Sequence, residues 1–540
     1  MPPPASSIST RSGAAPTQPG TDAVALARAV EEFLADHPHA AILEDGRLLF
    51  DLRLAQCSVS ADHGRCLLHL WSEDSNLVRT ITAVQPRRGT LRVETRRFGQ
   101  TKPQTLTLVP DPEFRTATAR DTSRRRYLRA LEQALVQHFP GWTPEAFRSA
   151  MDLEHSFGPA YARGILTKGQ SAWAVLGVGP EESRATIDGA LTLGILWLDY
   201  CREHSGGRRV FHGLRIIVPT GQTATTAARM GWLNPALAQW ELYELSPSTQ
   251  ELATCSAGGG NFSIQLHHAF DPQAALERSA TAIEHLKSLL PPGLLEATEI
   301  RARSSTEVGF SLHGLEYSRI RHGLVPGAFT HRDEIFFGAG PSETLLDETT
   351  EDLFRDLTDR LFQGRSVGAT GSDPLYRLQP ERWLESMLRR DLSVLDPRLG
   401  AGPAYSQLFS FASASRTLLD LLTVTRQGRL AVLELKADDD LHLPLQALDY
   451  WARVRSLHRE GRLAGNGYFP GSRESRLELS EDDPLLVCVA PALHIHPANE
   501  TVFRALAPTV PWELIALDEH WREECRVVLR KRAQLPPAAP

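Results

Sequence analysis

Glu434 and Lys436 stand two positions apart in the run Leu430-Ala431-Val432-Leu433-Glu434-Leu435-Lys436, which is otherwise apolar enough for a central strand. Side chains alternate faces along a strand, so the acid and the lysine share one face while Leu433 and Leu435 share the other. Charges placed there are costly unless they have partners. Asp420, fourteen positions before Glu434, lies in an earlier apolar run, Leu418-Leu419-Asp420-Leu421-Leu422-Thr423-Val424, and a turn at Gln427-Gly428 folds the two runs into a hairpin. The hairpin brings the two carboxylates together as a hard oxygen site suited to Mg2+ (or Mn2+), an ion that keeps several waters and binds phosphate oxygens directly. A lysine beside such a site orients or activates an attacking water and stabilises charge on a phosphorane-like transition state. The chemistry these residues point to is metal-assisted phosphoester hydrolysis.

The elements that must position them can be read around the hairpin. Pro380 stands just ahead of a helix expected over 381–392, which Asp396-Pro397 closes off. After the hairpin, Pro444 starts a second helix on which Gln446 and Tyr450, four apart, share a face. Strands over 485–489 and 512–517 complete an α/β core.

The ordered set of Leu419-Asp420, Glu434-Leu435-Lys436 and Gln446-xxx-Tyr450 resembles the PD-(D/E)xK nuclease superfamily, closest to the C-terminal domain of mismatch-type endonucleases and to RecB-like nucleases. The resemblance covers roughly 379–455, and Leu419 replaces the proline of the family's name. It implies a restriction-endonuclease-like αβββαβ core with Asp420, Glu434, Lys436, Gln446 and Tyr450 as catalytic residues. Glu385, in Trp383-Leu384-Glu385, takes the place of the acid that the family's first helix carries near the metal, so the implied metal ligands are Asp420, Glu434 and Glu385. The implied activity is Mg2+-dependent hydrolysis of DNA phosphodiester bonds, as an endonuclease of repair, restriction or defence. RNA as the substrate and a homodimeric state are compatible with it. The alternative from another class is a nucleic-acid-binding scaffold that keeps the fold without turnover.

The remaining chain is long enough for several cores. Residues 1–22, rich in Pro, Ser, Ala and Thr, read as a disordered tail. Residues 23–112 read as a β-rich module with a leading helix, 113–250 as an α/β segment, 251–372 as a connecting α/β module and 373–535 as the nuclease-like domain. Six cysteines without CxxC spacing exclude a zinc ribbon and a disulfide framework, and the longest apolar stretch is too short to span a bilayer, so a cytoplasmic location is expected.

A net charge of −7 gives no global case for nucleic-acid binding. Any such surface is local, with candidates at Arg124 to Arg126, at Arg389 and Arg390, and at Arg526, Arg530, Lys531 and Arg532, each read first as a solvated face or tail. Asp438, Asp439 and Asp440 read as a solvated loop, and His494 and His496 as structural.

Segment 113–250 looks like a second copy of the C-terminal domain. Ala174-Val175-Leu176-Gly177-Val178-Gly179 aligns with Ala431 to Lys436, and Leu198-Asp199-Tyr200 with Leu448-Asp449-Tyr450. In that alignment Gly177 and Gly179 replace the acid and the lysine, Arg163 stands near the aspartate position and Leu196 replaces Gln446, so the first copy is expected to be unable to hold metal.

Overall fold

The computed structural model describes residues 23–533 apart from short segments, the longest being 72–75, 97–103, 259–263, 325–330, 339–342, 412–418 and 471–477. The expected tail 1–22 and residues Asp45, Gly46, Gly259 and Gly260 lie outside the described residues. The protein is a multi-domain α/β chain, and contacts divide it into two units, 1–118 with 339–343, and 119–338 with 344–540.

The first unit is a seven-stranded antiparallel sheet carrying the helix Ala23–Asp36. Alternation is clear in Arg65–Trp71 and Thr90–Arg96, whose inward residues Leu68, Leu70 and Val93 meet Leu26 and Val30 of the helix in one core.

The second unit holds two α/β halves and a connecting module. The module is a five-stranded meander from Thr298–Ser304 to Thr344–Leu345, backed by Ala280–Leu289 and Glu351–Arg365. Its buried Arg365 donates to the carbonyls of Leu312, His313 and Leu375 and lies 4.9 Å over the ring of Trp383, which fixes the helix Pro380–Arg390 against the module.

The two α/β halves repeat one topology. The first runs helix Pro112–His138, strands Thr143–Arg148, Tyr161–Lys168 and Ser171–Val178, helix Ala190–His204, strand Val210–Pro219, helix Ala224–Met230, and strands Gln239–Leu245 and Leu252–Cys255. The second runs helix Pro380–Arg390, strands Leu421–Val424 and Leu430–Leu435, helix Leu443–Arg459, strand Leu485–Pro491, helix Asn499–Ala505, and strands Trp512–Leu517 and Val527–Arg532. In both, an antiparallel hairpin is followed by two parallel neighbours and an antiparallel edge strand. The expected αβββαβ order is therefore complete in the first half. In the second, the opening strand shrinks to an antiparallel bridge between Tyr405 and Leu422.

Register ties the halves together residue by residue. Leu176 pairs with Ile216 and Ile216 with Leu242, while Glu434 pairs with Cys488 and Cys488 with Leu514. Three residues further on, both ladders end on a Pro–Leu pair, Pro219 with Leu245 and Pro491 with Leu517. Leu176, not Gly177, thus occupies the place of Glu434, and the expected strand alignment is shifted by one. The faces agree. A Cβ on Gly177 would meet the Tyr127 hydroxyl at 2.7 Å, on the side of the leading helix, whereas that side of the second sheet is formed by Ala431, Leu433 and Leu435. A one-residue shift along a strand always exchanges faces.

Each half lays its crossover helices against the other. Ala190–His204 packs on Asn499–Ala505 and Leu443–Arg459 on Ala224–Met230, so one continuous core runs from Leu176 and Ile216 to Val432 and Cys488. Two helical stretches are interrupted, 184–204 at Gly189 and 272–289 at Ser279. A Cβ at Gly189 would meet His442 Cε1 and the Tyr161 hydroxyl at 2.9 Å each, so a larger residue would be crowded there. Among the described residues, no helix is long and apolar enough to cross a membrane.

Candidate active site

The hairpin forms as the alternation requires. Leu421 pairs with Leu433, and continuing that antiparallel register sets Asp420 opposite Glu434 on the same face. Asp420 Oδ2 accepts the Leu435 amide proton at 2.8 Å, so the aspartate is held by the strand that carries its partner acid. Lys436 lies just beyond the strand end, with its amide donating to the Val489 carbonyl at 2.9 Å and its Nζ 3.4 Å from Glu434 Oε1.

The electrostatics of the pair follow from its surroundings. Glu434 is 3% exposed and aligned with the buried Cys488, and its Oε2 has no hydrogen-bond partner. Burial, then the neighbouring Asp420, pushes the Glu434 carboxyl well above the usual range. Burial likewise raises Asp420 to about 7, although the Leu435 amide and Lys436 pull the other way. Burial on its own would lower Lys436, but Glu434, Glu381, Asp440 and Asp420 more than offset it and hold the ammonium charged. The lysine is therefore a fixed cation and donor at neutral pH.

Glu381, which the sequence reading passed over, and Asp440, which it read as part of a solvated loop, lie beside Lys436. Glu381, at the start of helix Pro380–Arg390, is 3.8 Å from Nζ, and Asp440 is 3.5 Å from it. Asp440 also accepts the His442 amide proton at 2.7 Å, and His442 Nδ1 meets Thr192 Oγ1 of the first half at 3.1 Å. The expected solvated loop 438–440 is thus anchored at its last residue. Proline at the first helical turn and the spacing of three from Leu384 were the sequence signals that single out Glu381, but helix phase against the hairpin decides it.

Glu385 is placed differently from the expectation. It is buried one turn further along, 3.6 Å from Arg382 and 3.4 Å from Arg389, in a cleft that Arg301 and Arg303 also line. Burial raises its carboxyl while Arg382 lowers it, and it acts on Asp420 only as a distant like charge. Gln446 is half-buried on helix Leu443–Arg459, and Tyr450 is buried with Arg229 and Arg453 in its electrostatic surroundings. Among the described residues, no group of three or more His, Cys, Asp or Glu side chains converges to hold a metal ion. Asp420 and Glu434 are the two carboxylates that the hairpin register sets opposite each other.

Two of the basic candidate clusters are drawn into ion pairs. Arg530 binds Glu513 at 2.9 Å and Asp396 at 3.2 Å from within the strand Val527–Arg532, so the expected basic tail is a paired edge strand. Arg389 pairs with Glu299 and Glu385. His496 Nδ1 accepts the Ala498 amide proton, a structural role, and His494 is 3.8 Å from both Asp439 and Glu519.

In the first half, the places of Asp420, Glu434 and Lys436 are taken by Arg163, Leu176 and Val178, since Arg163 pairs with Leu176 across that hairpin. Arg163 is fully buried, donates to the Ala150 carbonyl at 2.9 Å and lies 4.7 Å over the Phe157 ring. A buried guanidinium opposite a leucine offers a cation no oxygen. Comparison of the chain with protein-family models, with curated proteins and with solved structures gives no match.

Proposed function

We propose that the chain is a metal-dependent nuclease that hydrolyses DNA phosphodiester bonds at the Asp420, Glu434 and Lys436 centre. The observation that carries this reading is the carboxylate pair of buried Glu434 and half-buried Asp420 beside a charged lysine, with Glu434 Oε2 left without a partner. A buried polar atom without a partner costs about 1–3 kcal/mol, and a divalent cation between Asp420 and Glu434 would remove that cost and the like-charge repulsion. The donor set fits Mg2+ or Mn2+. Two carboxylates rather than three suit an ion that retains waters and leaves positions for phosphate oxygens.

When bound, the ion would supply Lewis-acid polarisation of a phosphate oxygen and a more acidic water. Lys436 does the rest from a fixed position. Held charged by four carboxylates, it cannot serve as a base at neutral pH; it donates to a phosphate oxygen or to the attacking water and balances the charge that builds up at phosphorus. Asp440 and Glu381 hold the ammonium in place from the loop and the leading helix. Gln446 and Tyr450, as the family resemblance implies, would flank the centre from the following helix.

A second reading, a scaffold that binds nucleic acid without turnover, is favoured by one observation: no three-ligand cluster exists among the described residues. One experiment separates the two. Purified protein and its Asp420→Ala and Lys436→Ala variants are incubated with single-stranded, duplex and branched DNA in Mg2+ or Mn2+. Cleavage that depends on metal and is lost in both variants supports the nuclease. Binding without cleavage in either metal supports the scaffold.

A further inference from the structure

The two α/β halves are related by a local two-fold that runs along their strands. At the carboxyl ends of the parallel strands, Thr192 of the first half meets His442 of the second, and Gly189 lies against the same histidine. At the opposite ends, Leu233 and Leu506 form an antiparallel bridge, and Asn234 donates to the Ala505 carbonyl while Ala507 donates to that of Trp232. Corresponding ends meet at both places, so both halves present the carboxyl ends of their strands on the same side. One of those ends carries Asp420, Glu434 and Lys436, and the other carries Arg163, Leu176 and Val178.

The silent end has chemistry of a different kind. Tyr127 packs its ring on Gly177 and Gly179 at the end of the strand Ser171–Val178, which brings the turn before it, Arg124 to Arg126, to that end. Arg124 is tied to Glu182 at 2.7 Å, and Arg125 and Arg126 are exposed. In the second half the opening turn of helix Pro380–Arg390 carries Glu381 and Arg382, and Glu381 reaches Lys436 of the carboxylate centre at 3.8 Å. One half therefore offers acids and a lysine where the other offers exposed guanidinium groups, which suit phosphate oxygens.

The two backbones of a DNA duplex are themselves related by local dyads, so a two-fold body with both strand ends on one side meets one backbone with each half. We propose, building on the nuclease reading above, that the first half grips one strand of a DNA duplex through Arg125 and Arg126 while the second hydrolyses the other, so that the chain is a nicking enzyme. In the step itself, a water oxygen bonds to phosphorus and one phosphorus–oxygen ester bond breaks. A water proton ends on the departing sugar oxygen, and the opposite strand stays intact.

The test uses the full chain and supercoiled plasmid DNA in Mg2+ and in Mn2+, at protein concentrations from equimolar to tenfold excess. Open circles are expected to form first at every concentration, with linear DNA appearing only through later independent nicks. Linear DNA that appears together with the first open circles overturns the proposal while leaving the nuclease reading standing. No cleavage of plasmid, single strands or branched DNA in either metal removes the nuclease reading and this proposal with it. The gripping role is read separately, from the salt dependence of duplex binding by an Arg125→Ala/Arg126→Ala double variant made in the Lys436→Ala background. The slope of log affinity against log salt is expected to become shallower by about 2, close to one for each phosphate no longer neutralised. An unchanged slope overturns the assignment of those arginines.

Discussion

Arg229 and Asp449, 220 positions apart in sequence, form a two-pronged ion pair, Nε to Oδ1 at 3.0 Å and Nη2 to Oδ2 at 2.7 Å. Arg504 and Asp199 stand in the corresponding places of the other half at 3.9 Å. Both arginines are the next-to-last residues of their helices, and both aspartates precede a residue in the matching strings Asp199-Tyr200 and Asp449-Tyr450. The same contact is therefore made twice about the two-fold, once buried and once at the surface.

The two copies should respond differently to mutation. Arg229→Ala leaves the half-buried Asp449 without its two-pronged partner and is expected to cost about 2–3 kcal/mol. Arg504→Ala, at a largely exposed pair, is expected to cost about 0–1 kcal/mol. Urea unfolding of the two variants checks this, and equal losses would contradict the burial difference.

The raised carboxyl of Asp420 makes stability depend on pH in a stated direction. Its folded value, about 7, lies above the unfolded value of about 4, so the folded state binds the extra proton between them. The stabilisation from this group is complete below about pH 4 and is lost as pH rises through about 7. Without metal, the melting temperature is expected to fall between pH 5 and pH 8. Asp420→Asn should flatten that fall, and Mg2+ should raise the melting temperature more at pH 8 than at pH 5.

Lys436→Ala removes the cation that pairs with Glu434, Glu381 and Asp440. Metal-dependent cleavage is expected to drop by about 10²–10³-fold or more, the scale for losing a preorganised donor to a developing charge. Single-turnover rates at saturating metal measure it, and a rate within a few-fold of the parent would mean that the lysine only neutralises the acids.

Glu381→Gln and Glu385→Gln distinguish the two acids of the leading helix. Glu381→Gln is expected to shift the metal concentration for half-maximal cleavage, because Glu381 acts on both carboxylates of the centre and on Lys436. Glu385→Gln is expected to act on stability, because its partners are Arg382 and Arg389. The reverse pattern, read in metal titrations and thermal melts, would restore Glu385 to the centre.

Much of the hairpin was legible in the sequence because strand alternation is a local rule. An acid and a lysine two apart in an apolar run must share a face, and the turn at Gln427-Gly428 leaves one partner for them, Asp420. Helix phase is not local. Glu381 and Glu385 lie one turn apart, and only the packing of Trp383 against His313 and Arg365 decides which of them reaches Lys436. The likeness of the two halves was visible in Leu198-Asp199-Tyr200 and Leu448-Asp449-Tyr450, but strand register depends on loop lengths, and a shift of one put Gly177 where Leu176 belongs. The edge strand Val527–Arg532 read as a basic tail because its charges face Asp396 and Glu513, which are remote in sequence. The strand Thr143–Arg148 went unread because Pro144 and the left-handed Ala146 (φ 56°) disguise an edge strand that shifts register between Glu145 and Arg148.

The core shared by the two halves also fixes their stoichiometry. Two separate chains with such complementary helix faces would be free to assort, like with like or each with the other, in proportions set by concentration. Joined in one chain through residues 256–379, they are made in equal number and meet at the effective concentration of a tether. Each molecule therefore carries one copy of each half, whatever its abundance.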